Sequence, residues 1–469
     1  MTLRHWRTMT DPSPARDDAR GDGDDLGVLP QIRRTSRWSR VWRPFWVLPM
    51  TFVVVATVVG AVLPEWEQSV DEHLPFVFQG GADGARGMLS TIAGAMISVT
   101  GLVFSITMVV VQLASSQFSP RVLDDFLSSR ITQSTLGIFA ATFTYALTVL
   151  RSVQGASGEE SFVPQISVTL GFLLVLASVG TFLAFIQHIT TSIQVSSIVT
   201  HLGSATMSVI DRYFPHADEP AARRPDAEWD PPESAPVLQL EAVEHGYVVE
   251  IGYRRLVAWA VEHDAVVQVL TPVGRYVTEG APAVRIYGLA LPERRVVMNG
   301  ADDEEHRELD RRFDLRTVRR AIVVEQDRSF NQDPELGVRK LVDIAERALS
   351  PGINDPTTAS QVTNELHRIL RLVVTRRDLP EVVERDGRTR LVHRPQRVAE
   401  VVDLALEELL HYAEDSLQVP RQVLFVLERL RPVALPEYAE VLDHWERVAR
   451  RIVERARAQD EQALVRRGP

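Results

Sequence analysis

The chain has 469 residues, a formal net charge of -11 and no cysteine. The lack of cysteine excludes disulfides, thiolate catalysis, and zinc or iron–sulfur sites held by thiolates. The acidic balance argues against nucleic acid as a main partner, because a phosphate backbone needs a basic face. Charge is also unevenly placed, since no Asp, Glu, Lys or Arg lies between Arg86 and Arg121 or between Glu160 and Asp211. Such long uncharged runs exclude a wholly soluble enzyme and predict a membrane region joined to a polar one.

The chain opens with residues 1–40, which we expect to be a disordered cytoplasmic tail. The first 30 are polar and rich in Pro, Gly and Asp, so they hold too little apolar surface to fold. Residues 41–213 then form the predicted transmembrane domain, because they contain four uncharged apolar segments long enough to cross about 30 Å of hydrocarbon. The four spans are predicted at about residues 44–63, 88–113, 131–150 and 166–187.

The orientation of the spans follows from the basic residues that flank them. Five arginines precede the first span, whereas the loop after it contains Arg86 alone against five acidic residues. Basic residues favour the cytoplasmic side of a membrane, so the N-terminus is predicted inside. Four crossings return the C-terminus to the cytoplasm, and the expected location is the plasma (inner) membrane as a multi-pass protein.

The second span carries uncharged polar residues at intervals of seven. They are Thr91, Ser98, Ser105 and Gln112. Seven residues are nearly two helical turns, so these side chains form one slowly drifting stripe along the helix. A polar stripe in lipid must face protein or water. It is therefore either a helix–helix seam or the wall of a permeation path, and the sequence leaves both interpretations open.

The uncharged run continues beyond the fourth span as a predicted amphipathic helix over residues 189–213. Its polar face includes Gln194 and His201 and carries no charge. Such a face suits packing at a subunit seam or lining a water-filled vestibule. Because no acidic or basic residue lies inside any span, a passive pathway is favoured over a coupled pump.

The polar half of the chain is predicted to be a cytoplasmic α+β region. A Pro-rich linker over residues 214–236 leads to strand-like segments and Gly turns over residues 237–290. Their order resembles a lipoyl-type barrel–sandwich hybrid, but the segment has no lysine, so we interpret it as a structural or docking module. Residues 291–334 form a mixed connector, and helical spacing over residues 335–469 predicts a helical bundle.

A short turn within the helical part joins two predicted helices at Ser350-Pro351-Gly352. Asn354 and Asp355 follow at the position of an N-cap, with Pro356 as the first helical residue. These two side chains either contact an ion or a partner, or they end one helix and begin the next. No metal-ligand spacing was found elsewhere, and we expect no metal or cofactor.

Two stretches of the sequence resemble the bacterial DUF2254 family of predicted membrane proteins. They are GLVFSITMVVVQLASSQFSPRVL (residues 101–123) and QDPELGVRKLVDIAERALSPGINDP (residues 332–356). The resemblance covers roughly residues 40 to 450. It implies a four-span inner-membrane protein with a cytoplasmic domain and no particular activity.

These features lead to two hypotheses about function. The first is a homo-oligomeric passive channel for ions or small solutes, gated by its cytoplasmic region. The second is a membrane-anchored scaffold or sensor that docks a cytoplasmic protein partner and transports nothing. We expect no enzymatic activity, since the sequence shows no nucleophile–base pair and no phosphate-binding loop.

Overall fold

A computed structural model gives the fold of the chain. It describes residues 29–30, 45–68, 78, 80–117, 130–153, 162–192, 194–219, 229–231, 235–291, 293, 295–298 and 304–467. Most of the predicted N-terminal tail and much of the predicted Pro-rich linker lie outside the described residues.

The membrane half contains four helices that are long and apolar enough to cross a bilayer. They are α1 (Val47–Glu67), α2 (Ala82–Gln117), α3 (Arg130–Ser152) and α4 (Gln165–Ser192). The prediction of four spans is therefore confirmed. Helix α1 begins three residues after its predicted start, and all four helices continue past the predicted end of their uncharged segment, because helical hydrogen bonding does not end where the hydrocarbon ends.

Helix α3 lies at the centre of the membrane half. In the most apolar 18-residue stretch of α3, 56% of the stretch is buried within the protein. The corresponding shares for α1, α2 and α4 are 17%, 22% and 17%. Small residues allow this close packing: a Cβ added at Gly137 would lie 2.9 Å from the ring of Phe52 on α1. A hydrogen bond of 3.1 Å joins the hydroxyls of Thr142 and Ser178, so α3 and α4 also share a polar contact.

A carboxylate joins α1 to α4 at one end of the membrane half. Glu67, the last residue of α1, accepts hydrogen bonds from the backbone N–H of Ile166 at 3.1 Å and of Ser167 at 2.6 Å. The Ser167 hydroxyl donates a third, also at 2.6 Å. These N–H groups belong to the first turn of α4 and have no partner within the helix. A negative charge there satisfies them and is favoured by the helix dipole.

The soluble half begins with helix α5 (Val195–Tyr213) and continues as an α+β region. Its first strands are β1 (Val237–Glu241), β2 (Gly246–Ile251), β3 (Val266–Val269), β4 (Tyr276–Val277), β5 (Pro282–Tyr287), β6 (Arg295–Met298) and β7 (Ile322–Glu325). The short helices among them are α6 (Tyr253–Glu262), α7 (Glu304–Arg312) and α8 (Leu315–Arg319).

The C-terminal part is mainly helical and contains one hairpin. Its helices are α9 (Pro334–Leu349), α10 (Pro356–Val373), α11 (Val398–Tyr412), α12 (Gln418–Leu430) and α13 (Ala439–Arg467). Strands β8 (Val382–Arg385) and β9 (Arg388–Val392) lie between α10 and α11 and are joined by Asp386 and Gly387, both with positive φ. An Asp-Gly pair between two β-prone runs is a strong hairpin signal. The segment over residues 335–469, predicted to be a helical domain, thus also contains a hairpin that the sequence analysis did not predict.

The strands form two open sheets. The larger has the order β6-β1-β5-β3-β9-β8, and the smaller has the order β4-β2-β7. The described strands form no closed barrel, so the lipoyl-like barrel–sandwich is not confirmed. Two of the pairings that shape the sheets come from outside residues 237–290: β9 pairs with β3, and β7 pairs with β2. Local alternation predicts that a strand exists but does not predict such distant partners.

Two described residues of the N-terminal segment are also part of the soluble half. Leu29 is 2% exposed and belongs to the apolar core beneath the larger sheet, together with Leu238 and Ile286. This differs from the expected disordered tail. Leu29, which precedes α1, and the strands that follow α4 therefore share one core, an arrangement that an even number of membrane crossings permits.

Replacing Glu67 by Ala should lower the thermal stability of the purified protein in detergent. The change leaves two backbone N–H groups of α4 without their acceptor, which should cost about 1–2 kcal/mol by analogy with helix caps. The unfolding midpoint measures the loss. Glu65→Ala is the matched control, because Glu65 is exposed on the same last turn. Equal midpoints for the two variants would contradict the stabilising contact between the Glu67 carboxylate and the first turn of α4.

Candidate functional site

The polar stripe of α2 lies on a face that no other described part of the chain covers. Thr91, Ser98, Ser105 and Gln112 are all exposed. The three hydroxyls donate to the backbone carbonyl four residues earlier: to Gly87 at 2.8 Å, to Gly94 at 3.0 Å and to Gly101 at 2.9 Å. A Cβ at Gly94 or Gly101 would meet no described atom within 4 Å. The four side chains therefore lie on one exposed face of α2, which the other described residues of the chain do not cover.

The second predicted polar face is divided between two helices. Thr190 belongs to α4, and Gln194 is the extended N-cap residue of α5, so the single helix predicted over residues 189–213 is in fact α5 preceded by the end of α4. His201 lies on the exposed face of α5, whereas Val199 and Leu202 on the opposite face are buried. Helix α5 therefore has one exposed polar face and one buried apolar face. Its apolar face packs on the C-terminal helices of its own chain and not on the membrane helices.

The turn at residues 350–355 has the geometry of a helix end followed by a cap. Asn354 has a φ of 49°. Asp355 accepts hydrogen bonds from the backbone N–H groups of Thr357 and Thr358, both at 3.1 Å, and from the Thr358 hydroxyl at 2.6 Å. These bonds hold the pKa of Asp355 below its ordinary value. Capping accounts for the carboxylate of Asp355, and the Asn354 side chain is exposed to solvent.

A buried polar junction lies where α9 begins. Asp333, at 1% exposure, is the N-cap of α9 and accepts from the Leu336 backbone N–H at 3.2 Å. Its carboxylate also binds the Arg328 guanidinium through two bonds of 2.7 and 2.9 Å. The Gln396 side-chain amide donates a further bond of 3.0 Å. Every bond to this buried charge is therefore charge-assisted, which is the condition under which a buried carboxylate is tolerated.

The junction connects three parts of the molecule. The Gln396 amide also donates to the Val273 carbonyl at 3.2 Å, which reaches the sheet region. The Gln396 backbone N–H donates to the Tyr213 hydroxyl at 3.0 Å, which reaches the last residue of α5. Next to Asp333, the Gln332 side chain pairs with both backbone groups of Ile251 on β2, at 2.9 and 3.2 Å. Helix α5, the sheets and the C-terminal helices thus meet at one network.

A glycine turn closes the junction from the sheet side. Gly274 has a φ of 82°, a conformation that favours glycine. A Cβ at this position would lie 2.8 Å from the Asp333 carboxylate and 2.9 Å from the Arg328 guanidinium. Glycine turns were predicted from the sequence within residues 237–290, but the contact of Gly274 with Asp333 was not. Glu335 is also buried next to this turn. Its burial is the main cause of a raised pKa of its carboxyl, and the negative charge of Asp333 adds to the effect.

Helix α5 is fitted closely between α9 and α10. A Cβ at Gly337 of α9 would lie 1.8 Å from the Thr206 hydroxyl of α5. A Cβ at Gly203 of α5 would lie 2.0 Å from the Glu365 carboxylate of α10. Asp211 near the end of α5 forms an ion pair with Arg376, just after α10. Since α5 follows α4 after two residues, the last membrane helix is directly attached to the C-terminal helices.

A carboxylate pair bridges α9 and α11. Arg339 binds Glu408 through two hydrogen bonds, one of them 2.9 Å, and lies 3.5 Å from Asp343. Burial, together with a hydrogen bond to Glu408, raises the pKa of Glu346 to about 8. Its hydrogen bonds with Glu346 and Arg339 lower the pKa of Glu408. The opposite pKa shifts make Glu346 the hydrogen-bond donor of the pair and Glu408 the acceptor.

The described residues contain no group of three or more His, Asp or Glu side chains able to hold a metal ion. A cavity of ≈ 250 Å³ lies between the two sheets in the soluble half. Its walls are mainly aliphatic, with Leu240, Val248 and Ile322 among them, and Glu241 and Arg320 also line it. The sequence contained no sign of this cavity, because it arises from the meeting of strands that are distant in the chain.

The fold and the junction define a class: a four-helix membrane protein whose last span is attached to a soluble α+β region. More narrowly, the chain belongs to the family described as Predicted membrane protein (DUF2254), whose model matches residues 42–429. It is 34% identical over 344 residues to the uncharacterised proteins Rv1290c of Mycobacterium tuberculosis (strain ATCC 25618 / H37Rv) and Mb1321c of Mycobacterium bovis (strain ATCC BAA-935 / AF2122/97). The match covers 73% of this chain and 62% of each relative. No solved structure matches the chain significantly.

Replacing Gly337 by Ala should destabilise the protein and weaken the packing of α5 against α9. The new methyl overlaps Thr206, whose β-branched side chain is buried and cannot easily turn away, so the expected loss is about 1–3 kcal/mol. The thermal unfolding midpoint in detergent measures it. Gly352→Ala serves as control, because a Cβ there meets no described atom within 4 Å. An unchanged midpoint for Gly337→Ala would mean that α5 is not held as closely as described.

The Glu346–Glu408 pair should make stability fall as pH rises from 4.5 to about 8. In this window the folded chain keeps the proton on Glu346. The unfolded chain has already released this proton, so the folded state binds more protons than the unfolded state. The folded state therefore loses stability as the pH rises. Unfolding midpoints across that range should therefore fall less steeply for Glu346→Gln, which keeps a donor toward Glu408 without a charge. Parallel pH profiles for the two proteins would contradict this.

Proposed function

We propose that the protein is an oligomeric passive channel for ions or small solutes, lined by the polar stripe of α2 and gated by its soluble region. The observation that carries the proposal is the direction of the stripe. Ser98 and Ser105 lie on a membrane helix and face away from the other described helices of the chain. Within the described residues, their hydroxyls are hydrogen-bonded only to their own helix, so a neighbouring copy or water would complete the surroundings of this polar face.

An oligomer provides such surroundings. When copies assemble with their α2 helices facing a common axis, the stripes surround one path and offer hydroxyl and amide groups to a permeating species. Gly94 and Gly101 beside the stripe leave space in which the backbones of neighbouring copies can approach. The hydroxyls keep their bonds to the preceding turn and still have oxygen lone pairs free to interact with water or ions.

The pathway is proposed to be passive because the spans lack coupling charges. No Asp, Glu, Lys or Arg lies within the four predicted uncharged segments. Proton-coupled carriers and voltage sensors use ionisable groups inside the membrane. Uncharged linings are instead typical of pores in which the species crosses down its own gradient.

Gating is proposed to act through α5. This helix directly follows α4 and is held by Gly337 and Glu365 on the C-terminal helices and by Gln396 at the polar junction. Because only two residues separate α4 from α5, a shift of the soluble region would be transmitted to α4 over a short distance. The arginines before the first span favour a cytoplasmic position for this region.

A membrane-anchored scaffold or sensor is the second candidate. The aliphatic cavity between the two sheets favours it, because a cavity of ≈ 250 Å³ in a soluble domain can accept a ligand or an apolar side chain of a partner. In this case the stripe of α2 would be a seam between copies, and the membrane helices would serve as an anchor.

Replacing Ser105 or Gln112 by Leu should abolish conductance and leave the oligomer intact. Each change puts an apolar side chain in the proposed path without affecting the packing within one chain. Planar-bilayer recording gives the current, and native mass measurement gives the subunit number. Phe104→Leu is the matched control, since Phe104 is exposed on the same helix beside the stripe. Well-folded Leu variants that conduct like the parent would overturn the proposal, and a silent parent protein would favour the scaffold.

A further inference from the structure

The helical bundle formed by α9 to α13 has one end where α5 begins, and that end can be located from contacts along the helices. Gly203 of α5 lies against Glu365 of α10, and farther along both helices Asp211 pairs with Arg376. The two helices therefore run in the same direction. Gln194 and Pro356 each lie nine residues before this first contact, so α5 and α10 begin side by side.

The neighbouring helices finish at the same end. Gly337 of α9 lies against Thr206 of α5, and α9 runs twelve further residues to Leu349 while α5 extends eleven residues back to Val195. Helix α11 is parallel to α9, since Gln396 bonds Asp333 near their starts and Glu408 bonds Arg339 farther along. Its last residue, Tyr412, therefore lies at this end too.

This end of the bundle presents apolar and aromatic side chains to the exterior. Pro351, Gly352 and Ile353 of the turn between α9 and α10 are all exposed, and Ile353 is 51% exposed. Tyr412 is 47% exposed. Of the acidic side chains at this end, Glu414 beside Tyr412 has a basic partner, because it lies 3.8 Å from Arg455. An isoleucine and a tyrosine together are typical of a surface that is apolar on one side and wet on the other.

The position of α4 identifies what lies next to this end. Helix α4 ends at Ser192 and α5 begins at Val195, so the two ends are separated by at most about 11 Å of extended chain. The apolar segment of α4 is uncharged up to this point and is long enough to cross the hydrocarbon. The exposed end of the bundle is therefore held beside the place where the last span leaves the bilayer.

We propose that the end of the bundle formed by residues 350–354 and Tyr412 rests on the lipid headgroup layer where α4 leaves the membrane. The partner is the bilayer itself. Ile353 inserts its side chain among the headgroups, and Tyr412 lies at the same level with its hydroxyl toward water. The contact braces the soluble region against the membrane and does not depend on whether the protein conducts.

Single-cysteine labelling tests this contact without background, because the chain has no cysteine of its own. Ile353→Cys and Tyr412→Cys are made in the full-length chain, coupled to a nitroxide and reconstituted into phosphatidylcholine–phosphatidylglycerol vesicles. Val243→Cys is the matched control, since Val243 is 52% exposed in the sheet region, away from the bundle. Collision with oxygen, which concentrates in lipid, is compared with collision with a water-soluble nickel chelate.

Labels at residues 353 and 412 should lose accessibility to the nickel chelate relative to residue 243 and gain collision with oxygen. Chelate access equal to that at residue 243 would overturn the proposal. Shielding from both reagents would also overturn it, because that pattern indicates coverage by protein, such as a second copy of the chain. Unchanged unfolding midpoints of the labelled proteins exclude misfolding as the cause, since all three positions are on the surface.

Discussion

Asp333 carries a carboxylate at 1% exposure, and much of the arrangement of the soluble half depends on satisfying it. A buried charge without partners is strongly destabilising, so each donor must stay in place. Arg328 binds both of its oxygens, and Gln396 donates to it while also holding Tyr213 and Val273. The orientation of the sheets against the helices therefore follows from the hydrogen-bond geometry around one residue. The sequence QDPELG encodes this junction as a unit: Gln332 pairs with a strand, Asp333 caps α9, and Gly337 admits α5.

The attachment of α5 has consequences for the membrane half. A helix that touches its neighbours through glycine has little freedom to slide, because the contacts involve backbone and short side chains. Gly337 against the short side chain of Thr206 is a contact of this kind. The connection between α4 and α5 is only two residues long, so the last span ends close to the place where α5 packs on the C-terminal helices. Either a gate or a membrane-anchored sensor requires such a connection, which is why the junction is informative under both candidate functions.

The polar side chains of the membrane half lie in two different environments. On α3 they are paired inside the protein, as Thr142 is with Ser178. On α2 the hydroxyls of Ser98 and Ser105 are satisfied only by their own helix, and they remain on the outer face. The first arrangement stabilises one chain. The second leaves a polar surface that no other described residue covers.

The sequence by itself determined the features that depend on local pattern. Uncharged runs predicted four membrane helices, the polar and apolar faces of α5 followed from residue spacing, and the N-cap of α10 followed from Asp355-Pro356. The Asp386-Gly387 hairpin was also readable in principle, but the surrounding helical pattern obscured it. Only the tertiary structure decided that β9 pairs with β3, that Leu29 enters the soluble core, and that Asp333, Gln396 and Tyr213 meet. The physical reason is that periodicity reports which side of an element is buried, whereas the identity of the partner depends on contacts between residues far apart in the chain.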